Sequence, residues 1–230
     1  MTVVAYYLLK VIICSGILFM YYHFALRNKV FHQWNRFYLI AVVFLSVFLP
    51  LVQFTLPHSS ENPGTTIQLL QVVQSADSYM EEVYVRNQQP IDIEYWVRIG
   101  YIVITIVILA SLLLSVFKIY RILKKHKIQP VENIRFVSTN EKGTPFSFFR
   151  YIFWNDKIDI HSPTGQQIFQ HELVHVKEAH TLDKLLLQLV LIFFWCNPFF
   201  WLIRRELHLI HEFIADQKSV SQHDTATLAS

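Results

Sequence analysis

Two histidines and a glutamate stand at the spacing of a zinc-binding helix. His171 and His175 are four residues apart, with Glu172 between them, so on a helix both imidazoles lie on one face and can converge on one ion. This is the H-E-x-x-H pattern of zinc peptidases, in which the glutamate accepts a proton from the water that attacks a carbonyl. Five residues alone are only suggestive, so the surrounding sequence has to supply a third ligand.

A pair of carboxylates further along the chain completes the predicted site. Catalytic zinc takes three protein ligands and leaves one position for water. Glu212 and Asp216 are one helical turn apart, and we predict Glu212 as the third ligand and Asp216 as the hydrogen-bond partner of a ligand histidine. The alternative is a solvated helix face, as for most such pairs. The predicted cofactor is zinc, and the predicted catalytic residue is Glu172.

Other polar residues near these motifs have simpler interpretations. His208 shares the helix face of Glu212, where it could contact substrate or a developing oxyanion, although a plain surface position also explains it. No role is assigned to His180 or His211. Asp183 is interpreted as a helix cap.

The elements that position these residues follow from the local pattern. Ser162 and Pro163 are good helix-start residues and no breaker follows them, which predicts a helix over 162–180. Before it, turn residues mixed with β-branched and aromatic residues predict two or three short strands. The segment from Phe146 to Trp154 is either a sheet edge that holds extended substrate or a buried core strand, and the sequence leaves both open.

The composition is that of a membrane protein. Of 230 residues, 53% are hydrophobic and 16% charged, which is too apolar for a soluble domain of this size. The net charge of +3 is too small to indicate direct nucleic-acid binding. Three apolar runs predict a transmembrane region over 1–117, followed by a cytoplasmic domain over 118–230; the predicted spans are about 3–26, 37–56 and 95–117.

Basic residues predict the orientation of these spans. Arg27, Lys29 and Arg36 lie between the first two, and five further Lys and Arg residues follow the third before residue 128. The loop 58–94 instead has one basic and six acidic residues. Because cytoplasmic loops carry the excess of Lys and Arg, the N-terminus and this loop are predicted outside, and the residues after 117 inside.

A fourth apolar stretch, 185–203, is predicted not to cross the membrane. The metal ligands before and after it can meet only if the chain returns to the side it left, and a crossing would carry Arg204 and Arg205 outside. Asn197 is a good N-cap and Pro198 suits the first position of a new helix. The stretch is therefore predicted to be a helical hairpin, buried in the protease core or dipped into the inner leaflet.

Several motifs occur together after the three predicted spans: H-E-L-V-H at 171–175, Asp183, W-C-N-P-F-F-W at 195–201, R-R-E-L at 204–207 and H-E-F-I-A-D at 211–216. In this combination the chain resembles the BlaR/MecR-type antibiotic-sensor peptidases. The resemblance implies a gluzincin-like α+β metalloprotease domain on the cytoplasmic side of a bacterial inner membrane. It matches His171, His175 and Glu212 to the metal ligands and Glu172 to the catalytic base. The predicted fold is thus a multi-pass α-helical membrane protein with that domain, three spans and a non-spanning hairpin.

The resemblance also implies signalling, in which a stimulus sensed outside activates proteolysis and relieves a transcriptional repressor. The expected partners are the lipid bilayer and a cytoplasmic protein substrate such as a winged-helix repressor. A homo-oligomer is a further possibility. The sequence ends at Ser230 without the penicillin-binding domain of the sensor members, so we expect either a fragment of a longer protein or a different signal. Two alternatives stay open: a constitutive quality-control metalloprotease, and a non-catalytic zinc-binding receptor or scaffold.

Overall fold

The computed structural model describes residues 2–27, 29, 31–52, 93–131 and 134–228. The chain divides into two compact units, one formed by Met1–Leu51 with Gly100–Ser230 and the other by Val52–Ile99. In the second unit the described residues are Val52 and 93–99, where Arg98 Nη2 lies 3.2 Å from Glu94 Oε1 one helical turn away. The predicted external loop 58–94 lies almost entirely outside the described residues.

Three described helices are long and apolar enough to cross a membrane, which agrees with the three predicted spans. Helix α1, Thr2–Tyr21, continues as a π-helix, Tyr22–Leu26; α2, His32–Phe48, ends in a 3-10 turn, Leu49–Leu51; and α3 is Ile93–Lys125. Helix α2 begins earlier than predicted, and the predicted residues 53–56 lie outside the described part. Helix α3 continues past 117 because charged side chains end an apolar segment without breaking a helix.

Three more helices follow toward the C-terminus: α4, Pro163–Lys177; α5, His180–Phe193; and α6, Pro198–Leu228. Helix α4 begins as predicted, since Ser162 Oγ accepts a hydrogen bond from the Gly165 amide at 3.0 Å. It ends at Lys177 and not at His180, because Ala179 adopts a left-handed conformation with φ 54°. Alanine rarely adopts this conformation, so the sequence contains no signal for the turn.

A four-stranded sheet lies between α3 and α4 in the chain, one or two strands more than predicted. Its strands are β1, Ile128–Val131; β2, Ile134–Thr139; β3, Phe146–Phe148; and β4, Tyr151–Asn155. The order is β1-β2-β4-β3, with β2 and β4 parallel and the other pairs antiparallel. Val137 and Phe153 pack on the end of α3, whereas Ile152 and Trp154 pack on the face toward α4. Strand β3 is therefore an edge strand beside the H-E-x-x-H helix.

The chain reverses direction between α5 and α6, which confirms the predicted helix break. Asn197 caps α6, because its Oδ1 accepts a hydrogen bond from the Phe199 amide at 2.9 Å. Its Nδ2 donates to Ser15 Oγ in α1, also at 2.9 Å, and both side chains are buried. Ser15 lies in the middle of α1, so the turn of the hairpin reaches the middle of a membrane helix. Among the described helices, α5 and α6 are not candidates for crossing a membrane.

Helix α6 joins the hairpin to the membrane helices. Its apolar residues recur at alternating intervals of three and four, the pattern of one buried helical face. All are at most 4% exposed, and they pack in one core with residues of α1, α2 and α5: Phe200, Ile203, Leu207, Ile210 and Ile214. Val174 of α4 belongs to the same core. The core therefore fixes α6 against α4, which carries the motif histidines.

Candidate metal centre

His171 and His175 from α4 converge with Glu212 from α6. The three ligand atoms lie within 4.8 Å of one another. His171 Nε2 lies 3.2 Å from His175 Nε2 and 3.3 Å from Glu212 Oε2, and His175 Nε2 lies 3.7 Å from Glu212 Oε1. Ligand atoms of a tetrahedral zinc ion with bonds of about 2.0–2.1 Å stand about 3.3 Å apart. The donor set and its spacing therefore fit zinc.

Asp216 faces the second ring nitrogen of a ligand histidine. Its Oδ1 lies 2.9 Å from His171 Nδ1, which is the contact expected from the sequence. A carboxylate at Nδ1 holds a proton on that nitrogen and leaves the lone pair of Nε2 directed toward the metal position. The Asp216 side chain is also 69% exposed. It therefore contacts His171 and at the same time lies on a solvated helix face, which was the alternative interpretation of this residue.

Glu172 is half-buried on α4 beside the edge strand. Burial raises the pKa of its carboxyl, whereas a hydrogen bond from the Ser147 side chain and the nearby His171 act in the opposite direction. Ser147 belongs to β3, so the edge of the sheet lies next to this carboxylate. The segment 146–154 was interpreted either as a sheet edge or as a buried core strand, and it contains one of each. Strand β3 is at the edge of the sheet, and β4 is an inner strand with its central residues buried.

The second ligand histidine is held by another histidine. His175 Nδ1 lies 2.7 Å from His180 Nδ1. Burial, the largest cause, lowers the pKa of His175 to about 4, and burial followed by the neighbouring His211 lowers the pKa of His180 to about 2. Both rings are thus neutral at neutral pH, which is the state in which an imidazole binds a metal ion.

A set of buried residues that the sequence did not predict lies behind His180. The His180 ring stacks on His211, with ring centroids 4.1 Å apart, and His211 Nε2 lies 2.9 Å from Asp183 Oδ2. Arg36 Nε of α2 donates to the same Asp183 oxygen at 2.6 Å. The helix-cap interpretation of Asp183 was wrong, because the N-cap of α5 is Ala179 and Asp183 lies inside the first turn.

Asp183 is the charged centre of this set. Burial alone would raise the pKa of its carboxyl, but the hydrogen bonds from His211 and Arg36 outweigh burial and lower it. The carboxylate is therefore ionised at neutral pH and paired with a cation from a membrane helix.

His208 lies at the open side of the candidate site. Its Nδ1 is 3.5 Å from Glu212 Oε1, and its side chain is 59% exposed. It also lines a cavity of about 530 Å³ together with Lys184, Arg204 and Arg205. A contact between His208 and a substrate stays a prediction.

Comparison with known proteins points to the same part of the chain. No curated protein matches the chain in sequence. A family match does cover the segment that contains α4, α5 and nearly all of α6, and so the whole ligand cluster. Residues 160–227 match the family model described as BlaR1 peptidase M56, which confirms over this segment the resemblance inferred from the sequence.

Proposed function

We propose that this chain is an integral-membrane zinc endopeptidase that acts on the cytoplasmic side. The observation that carries the proposal is the convergence of His171, His175 and Glu212 from the two sides of one hairpin. The match to the BlaR1 peptidase family over the same segment supports peptide hydrolysis. Three helices long and apolar enough to cross a membrane support an integral membrane protein.

The side chains divide the chemistry between them. His171, His175 and Glu212 would hold the zinc ion, which when bound activates water and polarises the peptide carbonyl. Glu172 accepts the proton of the attacking water and delivers it to the leaving amine. Its raised pKa suits the second half of this role, because the carboxyl retains the proton until the amine leaves. Asp216 keeps His171 aimed at the metal position.

Strand β3 offers a place for an extended substrate. Among the described strands its one neighbour is β4, so a peptide can add to the other side of β3 through main-chain hydrogen bonds. The side chain of Ser147, at its centre, is close enough to Glu172 to act on the pKa of its carboxyl. A peptide bound along β3 would therefore pass close to the catalytic carboxylate.

Ion pairs support the cytoplasmic orientation of the site. Arg27, at the end of the first candidate span, lies 3.1 Å from Glu206 of α6, and Arg36, near the start of the second, lies 3.3 Å from Glu178. The helices of the site thus lie at the end of α1 and α2 where the basic residues are. Because cytoplasmic segments carry an excess of positive charge, these basic residues support a cytoplasmic position for that end.

The proposed substrate is a cytoplasmic regulatory protein or the chain itself. The family match motivates a signalling protease with few substrates. A quality-control protease would instead cleave many membrane proteins, and a scaffold with structural zinc would show four protein ligands and need no base. The cluster contains three ligand residues among the residues that the structure describes, which favours a catalytic ion.

The test is Glu172→Gln in the full chain, purified in detergent micelles. We expect bound zinc to stay at one ion per chain while cleavage of labelled casein, and of the chain itself, falls by about 10²–10⁴-fold, because the general base is lost. Zinc is measured by elemental analysis and cleavage by fluorescence and mass spectrometry. Glu141→Gln, a change in a partly exposed residue that pairs with Lys125, serves as the matched control and should cleave at the parent rate.

Cleavage by the Glu172→Gln protein at the parent rate would refute the proposed catalysis. Bound zinc without cleavage in either protein would favour the scaffold. The proteomes of cells that express the parent or Glu172→Gln separate the other two functions: a few altered proteins indicate signalling, and many altered membrane proteins indicate quality control.

A further inference from the structure

A continuous set of buried polar side chains connects the second membrane helix to the candidate metal centre. We call it the buried polar chain; its members are Arg36, Asp183, His211, His180 and His175. They come from α2, α5, α6, α5 and α4, and each is at most 9% exposed. Polar side chains this deeply buried are unfavourable unless each has a partner, so their arrangement is strongly constrained.

The first half of the buried polar chain is an ion pair with a fixed geometry. Arg36 Nε donates to Asp183 Oδ2 at 2.6 Å, and Arg36 Nη2 donates to the main-chain oxygen of Glu178 at 2.7 Å. The planar guanidinium thus holds the end of α4 and the first turn of α5 at the same time. His211 Nε2 lies 2.9 Å from the same Asp183 oxygen, so α6 is tied to the pair as well.

The second half leads to the ligand. His211 and His180 are stacked, with an interplanar angle of 19°. His180 Nε2 and His211 Nδ1 have no hydrogen-bond partner within the described part of the chain, so the two rings interact by stacking. His180 Nδ1 then lies 2.7 Å from His175 Nδ1.

Metal binding fixes the direction of that last hydrogen bond. If His175 offers the lone pair of Nε2 to a metal ion, its proton is on Nδ1, and His175 must donate to His180. His180 therefore has to present an unprotonated Nδ1. Any movement of the His180 ring changes the partner that holds the ligand ring in place.

We propose that Arg36 is a positioning residue for the metal centre, acting on His175 through Asp183, His211 and His180. The affinity of the site for zinc then depends on the position of α2 relative to α4, α5 and α6. The inference rests on the proposed function, in which His175 is a zinc ligand. It identifies a route by which movement of a membrane helix can alter the protease site.

A second arginine provides a matched control. Arg27 also joins the end of a membrane helix to α6, through Glu206 at 3.1 Å, and its side chain is 43% exposed. It belongs to the same helix-to-helix junction but not to the buried polar chain. Loss of Arg27 should loosen the junction without moving His180.

The experiment compares Arg36→Met and Arg27→Met in the full chain in detergent micelles. Zinc affinity is measured by competition with a chromophoric chelator, and ligand geometry by the visible absorption of the cobalt-substituted protein. We expect Arg36→Met to raise the zinc dissociation constant about tenfold, the lower end of the usual effect of losing an outer-shell partner, because Arg36 acts on that partner, His180, through Asp183 and His211. The cobalt spectrum should change as well. Arg27→Met should leave both unchanged.

Each outcome decides the proposal. A folded Arg36→Met protein with parental zinc affinity and cobalt spectrum overturns it, and so does an equal loss in Arg27→Met. If Arg36→Met does not fold, Asp183→Asn, which removes the charge but keeps the shape, is measured by the same criteria. A parent protein that binds no zinc refutes the proposed function itself, whereas a zinc-binding parent with an unaltered Arg36→Met variant refutes the positioning role alone.

Discussion

His171 presents a different ring nitrogen to each of two carboxylates. Glu212 Oε2 lies 3.3 Å from Nε2, and Asp216 Oδ1 lies 2.9 Å from Nδ1. Because a neutral imidazole has one proton, the contact with Asp216 selects the tautomer whose Nε2 lone pair is free. The two acids on α6 therefore have unequal roles in the proposed metal centre: Glu212 would contribute a ligand atom, and Asp216 would orient a ligand histidine.

Replacement of Asp216 tests this division. We expect Asp216→Ala to weaken zinc binding by about 10–100-fold, the usual effect of losing the partner of a ligand histidine. Gln217→Ala, an exposed neighbour on the same helix, should bind zinc as the parent does. Competition with a chelator measures both. Unchanged affinity in Asp216→Ala would mean that the contact with His171 does not hold the ring.

The ion pair of Asp183 predicts how stability depends on pH. The pKa of Asp183 is lowered in the folded protein, so the unfolded chain takes up its proton at a higher pH than the folded protein. The stabilisation is complete above the ordinary aspartate pKa of about 4, and it is lost as the pH falls through the lower folded value. Near neutral pH, Asp183→Asn should reduce the free energy of unfolding by about 1.5–3 kcal/mol, the usual contribution of a hydrogen bond to a charged group, because Arg36 loses Asp183 but keeps its ion pair with Glu178.

Thermal unfolding with chelator present, from about pH 7 to about pH 3, measures this effect. The difference between the parent and Asp183→Asn should shrink in acid. Asp156→Asn, at an exposed loop position, should show no such trend. A difference for Asp183→Asn that stays constant with pH would show that the charge of the carboxylate is not what stabilises the fold.

The site residues that the sequence predicted are related by local spacing, whereas the site residues that it did not predict are far apart in the chain. His171 and His175, like Glu212 and Asp216, repeat at one helical turn, so their spacing shows that they share a face. Arg36 and Asp183 are 147 residues apart, and no local spacing relates them. Only the packing of α2 against the hairpin brings them together. In the sequence, Arg36 therefore indicated only the orientation of the neighbouring span.

In the turn between α5 and α6, the side chain of Asn197 makes two hydrogen bonds. The carbonyl oxygen of Asn197 caps α6 while its amide nitrogen donates to Ser15 of α1. Gly16, the next residue of α1, leaves room for Phe199, since a Cβ there would lie 2.8 Å from the Phe199 ring. The hairpin is thus anchored to a membrane helix at its turn.

Asn197→Ala should therefore reduce the free energy of unfolding more than Ser15→Ala does. Loss of an N-cap typically reduces stability by about 1 kcal/mol, and loss of the bond to Ser15 adds about another 1 kcal/mol. Ser15→Ala loses the second contribution alone and leaves the Asn197 amide without that acceptor. Unfolding by denaturant in micelles measures both variants. Equal stability of the two would contradict the larger loss expected for Asn197→Ala.

The sequence predicted the helices and strands better than it predicted the residues at which they end. The hairpin break was marked by Asn197 and Pro198, which have clear local preferences. The end of α4 at Lys177 was unmarked because Ala179 adopts a left-handed conformation, which is against the usual preference of alanine. The number of strands was underestimated because β1 and β3 are very short, with four and three residues, and such segments show little alternation.

The membrane helices and the candidate site share one apolar core. Val11 of α1 and Leu39 of α2 are fully buried in the same cluster as Leu191 of α5 and Phe200 of α6. The apolar composition predicted spans, but it could not show that they pack on the hairpin, because lipid and protein interior select the same residue types. A movement of α1 or α2 would consequently act directly on the helices of the candidate site.

This arrangement requires that the segments before and after the hairpin are on one side of the membrane, which labelling of single cysteines can test. In a Cys14→Ala, Cys196→Ala background we expect Asp156→Cys and Gln217→Cys to react with an impermeant maleimide only after permeabilisation, because the ligands from α4 and α6 meet at one point. Ser60→Cys, in the predicted external loop, should react in intact cells. Labelling of 156 and 217 from opposite sides would make the hairpin a fourth span and separate Glu212 from the histidines. Labelling of both in intact cells would leave the metal centre assembled but place it outside, so the two halves of the proposal can fail independently.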